Sequence, residues 1–391
     1  MKNFALLFIF IGIFSACKDV EQLEPSLGFW RADLAVMDGQ VLPFNFKLMK
    51  SESGKYTMEI YNAEEIIQVD EIRIINDSIV VKTPVYEGYL AGTFTANEMK
   101  GEFIKESLDR IVPFTATFNE MSRFDAMGAS TQNITGIWET QFNAGLSDEY
   151  IAKGIFEQNG DDVIGTFETT TGDYRYLGGI VDGDSLKISV YDGAHAFLFT
   201  AKVTDSTMNG AFYSGNHSKE TFTAKRNESY NLPSADSLTF LRKGFEKLDF
   251  EFPDAEGNLV SLDDERFQDK VVLVQIMGSW CPNCLDETKY YTKYLKENPA
   301  QNLEIVALAF EYAKTQEKAF SSIKRLTDRI GVEYPVLLAQ YGTSDKEEAQ
   351  QKLPMLNHVL SYPTTIFIDK KGAVRKIHTG FNGPATGKKY E

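Results

Sequence analysis

The 391-residue sequence has few of the residues that usually hold metal ions. It contains three cysteines and four histidines, and the histidines are scattered along the chain. Zinc normally takes four ligands, often from two closely spaced pairs. The pair Cys281 and Cys284 has no second Cys-x-x-Cys pair to complete such a set. We therefore predict no metal site and no bound cofactor.

Positive charge is also scarce. The chain has 40 Lys and Arg residues against 56 Asp and Glu residues, a formal net charge of −16. This balance argues against nucleic acid or an anionic membrane surface as a partner. The composition, 43% hydrophobic and 25% charged, is ordinary for a soluble globular protein. The length predicts two or three domains.

The N-terminus has the pattern of a targeting segment. A positive residue precedes an apolar run over residues 4–14, which is too short for a comfortable membrane span, and "FSAC" ends at Cys17. This resembles the lipobox of bacterial lipoproteins, although Phe14 stands where that motif usually has Leu. The resemblance implies a signal peptide over residues 1–16, lipid modification of Cys17 and a tether over residues 17–27. Plain secretion is the alternative.

Residues 28–226 carry many short runs rich in Val, Ile, Thr, Tyr and Phe. "KYTMEIY" and "SLKISVY" are examples, and Gly, Asn and Asp separate such runs. This pattern is typical of β-strands, and no segment of the region shows convincing helical amphipathicity. We predict a large antiparallel all-β region.

This β region repeats itself. "GFW" at 28–30 matches "GIW" at 136–138, and "MKGEF" at 99–103 matches "MNGAF" at 208–212. Four more short matches keep the same order along the chain. The shared order indicates a duplication, with chance similarity among β-rich sequences as the alternative.

Each copy has room for seven or eight strands, so we predict two tandem antiparallel barrels or sandwiches. A chain of hairpins must close or be covered to avoid open sheet edges. The first repeat spans residues 28–124 and the second spans residues 134–226. We expect Trp30 and Trp138, near the two starts, to fill the cores.

A different pattern begins after residues 227–245, a linker in which "SADSLTFLRKGFEKL" predicts the start of a short helix. "KVVLVQIMG" and "LEIVALAF" are continuous apolar runs, as strands buried on both faces require. Helical stretches follow them at about residues 282–296 and 319–331, and "YPVLLA", "TTIFID" and "AVRKIHTGF" supply further strands. This alternation predicts an α/β layer with a partly parallel sheet over residues 246–391.

The cysteine pair lies where a buried strand gives way to a helix. We expect Cys281 at the helix N-terminus, where free N–H groups and the helix dipole favour a thiolate, the nucleophilic form. Cys284 lies one turn further on, close enough to resolve a mixed disulfide. A structural disulfide would close a very small loop and stabilise little, and a metal clip lacks further ligands. We therefore favour a redox centre over these two alternatives.

"WCPNC" after a hydrophobic strand, with "SYPTTIFID" downstream, resembles the thioredoxin superfamily. More narrowly, it resembles the membrane- or lipid-anchored thiol–disulfide oxidoreductases of the TlpA/ResA group, over about residues 245–390. The resemblance implies a cis peptide bond before Pro363, a Tyr362 backbone free to pair with a substrate chain, and Trp280 beside the site.

Glu287 matches the Glu that ResA-type reductases carry three residues after the second cysteine. A carboxylate there can shuttle protons to Cys284, and it would oppose ionisation of both thiols. The alternative is a solvated Glu in the first helical turn that complements the helix dipole.

Three features depart from that family pattern. No Pro follows soon after Glu287, and about eighty residues separate Cys284 from Pro363. "GTSDKEEAQQKLPMLNHVL" adds a segment that we expect near the site. The last helix of a thioredoxin fold is essentially missing before Glu391, so either the sequence is truncated or another element covers that face of the sheet.

We therefore predict a cell-envelope lipoprotein that exchanges thiols and disulfides with protein partners and receives electrons from an upstream envelope donor. The lipid would be its only membrane contact, in the outer membrane on the periplasmic side or at the cell surface. The Cys-Pro-Asn-Cys interior holds no cation or His, and Asp286 and Glu287 add negative charge. These features favour a reductase over a strong oxidant.

Two alternative functions remain. A peroxiredoxin-like peroxidase would need its cysteine in a Pro/Thr-rich loop with a supporting Arg, and "GSWCPNC" has neither feature. A surface ligand-binding lipoprotein with an accessory thioredoxin domain would need an open, aromatic-lined pocket in the β half.

Overall fold

The computed structural model describes residues 23–299 and 302–390, so Cys17 and the predicted signal peptide lie outside the described residues. Two antiparallel barrel-like sheets are followed by an α/β domain. This order confirms the predicted all-β half and the thioredoxin-like domain after it. In the described part of the chain, no helix combines the length and apolar character needed to cross a membrane.

The first barrel-like sheet has nine antiparallel strands. They are β1 (Gly28–Ala35), β2 (Val41–Lys50), β3 (Tyr56–Asn62), β4 (Glu65–Val69), β5 (Glu71–Ile75), β6 (Ser78–Lys82), β7 (Tyr89–Phe94), β8 (Glu98–Lys105) and β9 (Arg110–Phe118). Their order is β4-β3-β2-β1-β9-β8-β7-β6-β5. Trp30 is fully buried in the core, as predicted, and its indole N–H donates to the Ser26 carbonyl at 3.0 Å.

The second sheet closes into a ring. Its strands are β10 (Gly136–Phe142), β11 (Tyr150–Asn159), β12 (Asp162–Thr169), β13 (Gly172–Asp173), β14 (Leu177–Asp182), β15 (Ser185–Tyr191), β16 (Ala196–Val203), β17 (Thr207–Ser214) and β18 (Ser218–Arg226). Closure comes from β12, which pairs with both β11 and β14. Trp138 fills this core, and its indole N–H donates to the Ile134 carbonyl four residues earlier, as Trp30 does to Ser26. The shared geometry supports the duplication.

The two barrels pack directly on each other. Tyr191 of the second barrel stacks on Phe44 of the first, with ring centroids 4.2 Å apart. The guanidinium of Arg123, which follows the first barrel, donates to the carbonyl of Ser189 at 2.9 Å and to the carbonyl of Tyr61. Arg123 therefore joins the two barrels through backbone carbonyls.

The linker does not form the short helix that its sequence predicts. A single 3₁₀ turn covers Ala235–Ser237, and Ser234 caps it by accepting from the N–H of Asp236. Beyond that turn, Leu241 forms a β-bridge with Leu356, and the Arg242 N–H donates to the Met355 carbonyl at 2.8 Å. Tertiary pairing with the α/β domain thus replaces the local helical preference.

The described residues of the α/β domain form seven strands and three helices. The strands are β19 (Glu251–Pro253), β20 (Leu259–Ser261), β21 (Val271–Met277), β22 (Leu303–Phe310), β23 (Val336–Gln340), β24 (Thr364–Ile368) and β25 (Val374–Thr379), and the helices are α1 (Pro282–Glu297), α2 (Gln316–Ile330) and α3 (Lys346–Lys352). The main sheet has the order β23-β22-β21-β24-β25. Strands β21, β22 and β23 pair in parallel, whereas β24 pairs antiparallel with both β21 and β25. The extra segment before Pro363 contains α3.

Candidate active site

Cys281 is the N-cap residue of α1, where the sequence predicts it. Its Sγ accepts a hydrogen bond from the backbone N–H of Cys284 at 3.2 Å. The thiol in turn donates to the carbonyl oxygen of Tyr362 at 3.3 Å. An N–H group directed at a sulfur atom is a contact that stabilises a thiolate. The geometry therefore suits a nucleophilic cysteine, although the side chain is only 6% exposed.

Cys284 lies one turn into α1 and is fully buried. Both cysteines of the pair are free thiols, so the structure describes the dithiol form. Burial raises the pKa of Cys284 well above its usual value, and its contact with Cys281 and the charge of Glu287 raise the pKa further. This thiol will stay protonated until a base takes its proton during the reaction.

The peptide bond between Tyr362 and Pro363 is cis, as the resemblance implies. Trp280 packs edge-on against Tyr362 with ring centroids 5.6 Å apart, and its indole N–H donates to the Phe310 carbonyl at 2.9 Å. The fold thus brings Trp280, Tyr362 and Pro363 together at Cys281. Their binding of a substrate chain remains a prediction.

Glu287 is buried, so the alternative of a solvated first-turn Glu is wrong. Its Oε1 accepts from the Thr365 hydroxyl at 2.8 Å and the Tyr291 hydroxyl at 3.1 Å, and its Oε2 accepts from the Gln275 amide at 2.8 Å. Burial raises the pKa of Glu287 to about 7, although these three hydrogen bonds lower it. The carboxyl group can therefore gain or lose a proton near neutral pH.

An apolar groove of about 540 Å³ lies beside Glu287 on the sheet face that α1 covers. Glu287 borders this groove together with Leu273 of β21, Phe367 of β24 and Tyr290 of α1. The domain's described residues end in a short 3₁₀ segment, Pro384–Lys389, and none of the described elements fills this part of the face. The groove therefore brings open space up to the side of the buried Glu287.

Glu311, directly after β22, is a second buried carboxylate that the sequence analysis missed. Its two oxygens accept hydrogen bonds from the N–H and the hydroxyl of Ser279, each at 2.7 Å. Burial raises the pKa of Glu311 to about 7, and the Ser279 hydrogen bonds lower it. Glu311 holds the loop that leads into Trp280 and Cys281. Its signal in the sequence was an acidic residue at the carboxyl end of a buried strand.

Asp286 contributes less negative charge to the cysteine pair than the sequence suggests. Its Oδ2 accepts from a guanidinium nitrogen of Arg175 at 2.6 Å, and Lys289 lies 3.4 Å from its Oδ1. Arg175 belongs to the second barrel, 111 residues earlier in the chain. Sequence patterns cannot reveal such a long-range partner, and it offsets part of the charge assigned to Asp286.

A CxxC pair that caps a helix after a central strand, and that faces a cis proline before the next strand of the sheet, defines a thioredoxin-like thiol–disulfide oxidoreductase. Residues 245–377 match the AhpC/TSA family, which leaves the two barrels outside the match. Together with the relatives described next, this match shows that the C-terminal domain is similar to the TlpA/ResA-like proteins of the thioredoxin superfamily.

Thioredoxin-like protein YneN of Bacillus subtilis (strain 168) is 29% identical over 140 residues, which are 36% of this chain and 73% of the relative. Thiol-disulfide oxidoreductase ResA of Halalkalibacterium halodurans is 28% identical over 144 residues, 36% of this chain and 69% of the relative. Among solved structures, a thiol-disulfide oxidoreductase from Bacteroides fragilis NCTC 9343 is 24% identical, with 37% of this chain and 96% of that chain aligned and a TM-score of 0.28.

Proposed function

We propose that this chain is a cell-envelope lipoprotein that reduces disulfide bonds of protein partners through a dithiol/disulfide cycle of Cys281 and Cys284. The observation that carries the proposal is the geometry of Cys281. Its sulfur contacts the N–H of Cys284, the resolving thiol, and the Tyr362 carbonyl beside the cis proline. The buried Glu287 borders a groove that is open to solvent.

The exchange takes place in two balanced steps. Cys281, as a thiolate, attacks one sulfur of a partner disulfide. The partner S–S bond breaks as a mixed disulfide forms, and the displaced partner sulfur takes up a proton. Cys284 then loses its proton and attacks the Cys281 sulfur, which releases the second partner sulfur to be protonated in turn. Two electrons and two protons pass to the partner, and an upstream dithiol donor must return them.

Glu287 is suited to receive the proton that Cys284 loses. A group transfers protons best when its pKa lies close to the working pH, and the pKa of Glu287 is about 7. The negative charge of Glu287 also raises the pKa of Cys284, so the two groups influence each other. The groove beside Glu287 then lets the proton leave without crossing the apolar core.

The direction of the reaction is supported by the groups around the cysteine pair. Strong oxidants of this superfamily owe their potential to a stabilised reduced form. Here no Lys, Arg or His lies inside the CxxC motif to stabilise a thiolate, and burial together with the charge of Glu287 disfavours a thiolate at Cys284. The pair therefore lacks the stabilisation that is typical of a strong oxidant.

The reduction potential of the pair, measured on the full chain in glutathione or dithiothreitol buffers, tests this proposal. We expect a value of about −250 mV or lower, whereas a value near about −120 mV would indicate an oxidant or isomerase. The Cys284→Ser variant serves as the control, because it cannot form the intramolecular disulfide. Absence of a reversible two-electron couple in the wild type would overturn the redox proposal itself.

The envelope location is a separate part of the proposal and is supported by the sequence around Cys17. Growth of cells with an alkyne-tagged fatty acid should label the wild-type protein and leave the Cys17→Ser variant unlabelled. Equal labelling of the two proteins would contradict lipid modification at Cys17.

The β half gives less support to a ligand-binding function. Inside the second barrel, Phe142 packs against Phe167 and Phe222, with ring centroids 5.5 and 5.3 Å apart. Phe199 and Phe212 stack at 4.5 Å. These rings pack against one another and fill the interior of the barrel, so we do not propose a ligand site there.

A further inference from the structure

One turn of the second barrel lies against the redox site. We name residues 171–173, between β12 and the end of β13, the covering turn. The hydroxyl of Ser361, two residues before the cis proline, donates to the Thr171 carbonyl at 2.8 Å. The side-chain amide of Asn283, inside the CxxC motif, donates to the Asp173 carbonyl at 3.3 Å. The covering turn therefore touches both chain segments that flank Cys281.

The approach of the covering turn is close enough to require glycine. Gly172 has a φ of +142°, and a Cβ atom placed there would lie 2.0 Å from the amide nitrogen of Asn283. On the other side, a Cβ atom on Gly380 would lie 2.8 Å from the Thr171 carbonyl carbon. A side chain at residue 172 would strain the backbone at this φ and displace the Asn283 amide from the covering turn.

Arg175, two residues beyond the covering turn, joins all three domains. Its guanidinium binds Asp286 of α1 at 2.6 Å and Glu65 of the first barrel, and it lies 3.6 Å from Asp192 of the second. Burial opposes the charge of Arg175, but the carboxylates of Asp286 and Glu65 raise its pKa well above the usual value. Removing one partner of such a buried cluster leaves uncompensated charge at the domain junction.

Apolar residues of both barrels join the buried core that contains the cysteine pair. Val85 and Tyr86 of the first barrel and Ala194 of the second belong to the same buried cluster as Cys281 and Cys284. With these elements in place, 6% of the Cys281 surface is exposed. A disulfide in a folded protein needs room for its flanking backbone, and this arrangement does not provide it.

We propose that the second barrel determines which disulfides reach Cys281, and that Arg175 is the positioning residue that holds its covering turn in place. The closed arrangement admits small thiol reagents and small disulfides. It excludes folded protein disulfides until the turn moves off Asn283 and Ser361. The inference rests on the thiol–disulfide exchange proposed above and adds a selection by substrate size.

Alkylation of the reduced full-length protein tests access without requiring any redox turnover. Rates are measured with iodoacetamide and with a maleimide that carries a polyethylene glycol chain, each normalised to its rate with a cysteine peptide. Peptide mass spectrometry assigns the modification to Cys281. We expect Cys281 in the wild type to react about tenfold or more slowly with the bulky reagent, because access requires local opening.

Two variants open the site by different means. Arg175→Met removes the charge that joins the domains. Gly172→Ala strains the covering turn and breaks its contact with Asn283, and it leaves the Arg175 cluster in place. Both should raise the normalised bulky-reagent rate by about fivefold or more, and their insulin reduction rates should rise relative to the rate with a small disulfide. Arg123→Met is the matched control, because that arginine joins the barrels to each other through Ser189 and Tyr61.

Equal normalised rates of the two reagents in the wild type would overturn the proposal. The proposal would also be overturned if Cys281 stayed protected from the bulky reagent in both Arg175→Met and Gly172→Ala. The same holds if Arg123→Met lost this protection as fully as those two variants. Circular dichroism identifies any variant that fails to fold. If one of Arg175→Met and Gly172→Ala fails to fold, the other still tests whether the covering turn limits access to Cys281. A protected Cys281 with no reversible redox couple would leave the cover standing and overturn the proposed function alone.

Discussion

Replacement of Glu287 by Gln should stabilise the thioredoxin-like domain relative to wild type. The gain in unfolding free energy should be larger at pH 8 than at pH 5. The pKa of Glu287 is raised from 4.5 to about 7, with burial as the main cause. The unfolded chain therefore loses this proton at a lower pH than the folded chain does. The wild-type unfolding free energy should fall as the pH rises from about 4.5 to about 7, and the full cost is present above about 7.

The size of the effect follows from the two pKa values of Glu287. Each tenfold change in proton affinity corresponds to about 1.4 kcal/mol, so ionisation of buried Glu287 costs the folded state about 3 kcal/mol. A Gln side chain removes that cost and keeps an oxygen for Thr365 and Tyr291. Gln275 must then rotate its amide to accept from the new N–H group. We therefore expect a net gain of about 1–3 kcal/mol at pH 8 and a much smaller one at pH 5.

Urea unfolding of the reduced full chain, followed by hydrogen exchange of peptides from α1 and β21, isolates this domain from the barrels. Glu297→Gln, at the exposed end of the same helix, is the matched control and should change stability by less than about 0.5 kcal/mol at both pH values. An unfolding free energy of the wild type that does not fall between pH 5 and pH 8, or equal effects of Glu287→Gln at the two pH values, would refute the reasoning.

Three further predictions concern other parts of the molecule. Cys284→Ser should accumulate a mixed disulfide with a small disulfide such as oxidised glutathione, detected by intact mass spectrometry, since the resolving thiol is absent; failure to form this adduct would contradict an attacking role for Cys281. Glu311→Ala removes the acceptors for two hydrogen bonds from Ser279, so it should speed hydrogen exchange in the loop before Cys281 and slow disulfide exchange by about tenfold. Glu311→Gln keeps an acceptor, and its disulfide-exchange rate should stay within about threefold of wild type. An equal loss of rate in the two variants would mean that the charge of Glu311 matters rather than its positioning of the loop. Trp138→Ala should destabilise the second barrel by about 3–5 kcal/mol, measured by urea unfolding with exchange of β10 peptides, and a loss below about 1 kcal/mol would contradict its role in the core.

Much of the fold was predictable because its signals are local. Continuous apolar runs indicated β21 and β22, and α2 ends at Gly331, the last residue of the predicted helical stretch, in a left-handed conformation. The linker shows where local signals fail. Its helix-like stretch instead pairs with Leu356 and Met355, because residues more than a hundred positions away supply hydrogen bonds that the sequence pattern cannot anticipate.

The candidate site likewise has features that the local sequence predicts and features that depend on tertiary packing. The placement of Cys281 at a helix N-terminus follows from its neighbours in the chain: a buried strand before it and Pro282 after it. Whether Glu287 is solvated or buried depends on packing against β21 and β24, and the sequence left both options open. The pairing of Glu311 with Ser279 is equally invisible in the sequence, because it depends on which strand ends meet.

The chain's amino-acid order was sufficient to specify two β repeats, an α/β domain and a redox-type cysteine pair, because strand, helix and cap preferences act between near neighbours. The raised pKa of Glu287, the ion pair between Asp286 and Arg175 and the contacts of the covering turn with Asn283 and Ser361 arise from tertiary packing. They depend on distances between residues far apart in the chain, and burial, which controls the cost of a charge, exists only once those residues have come together.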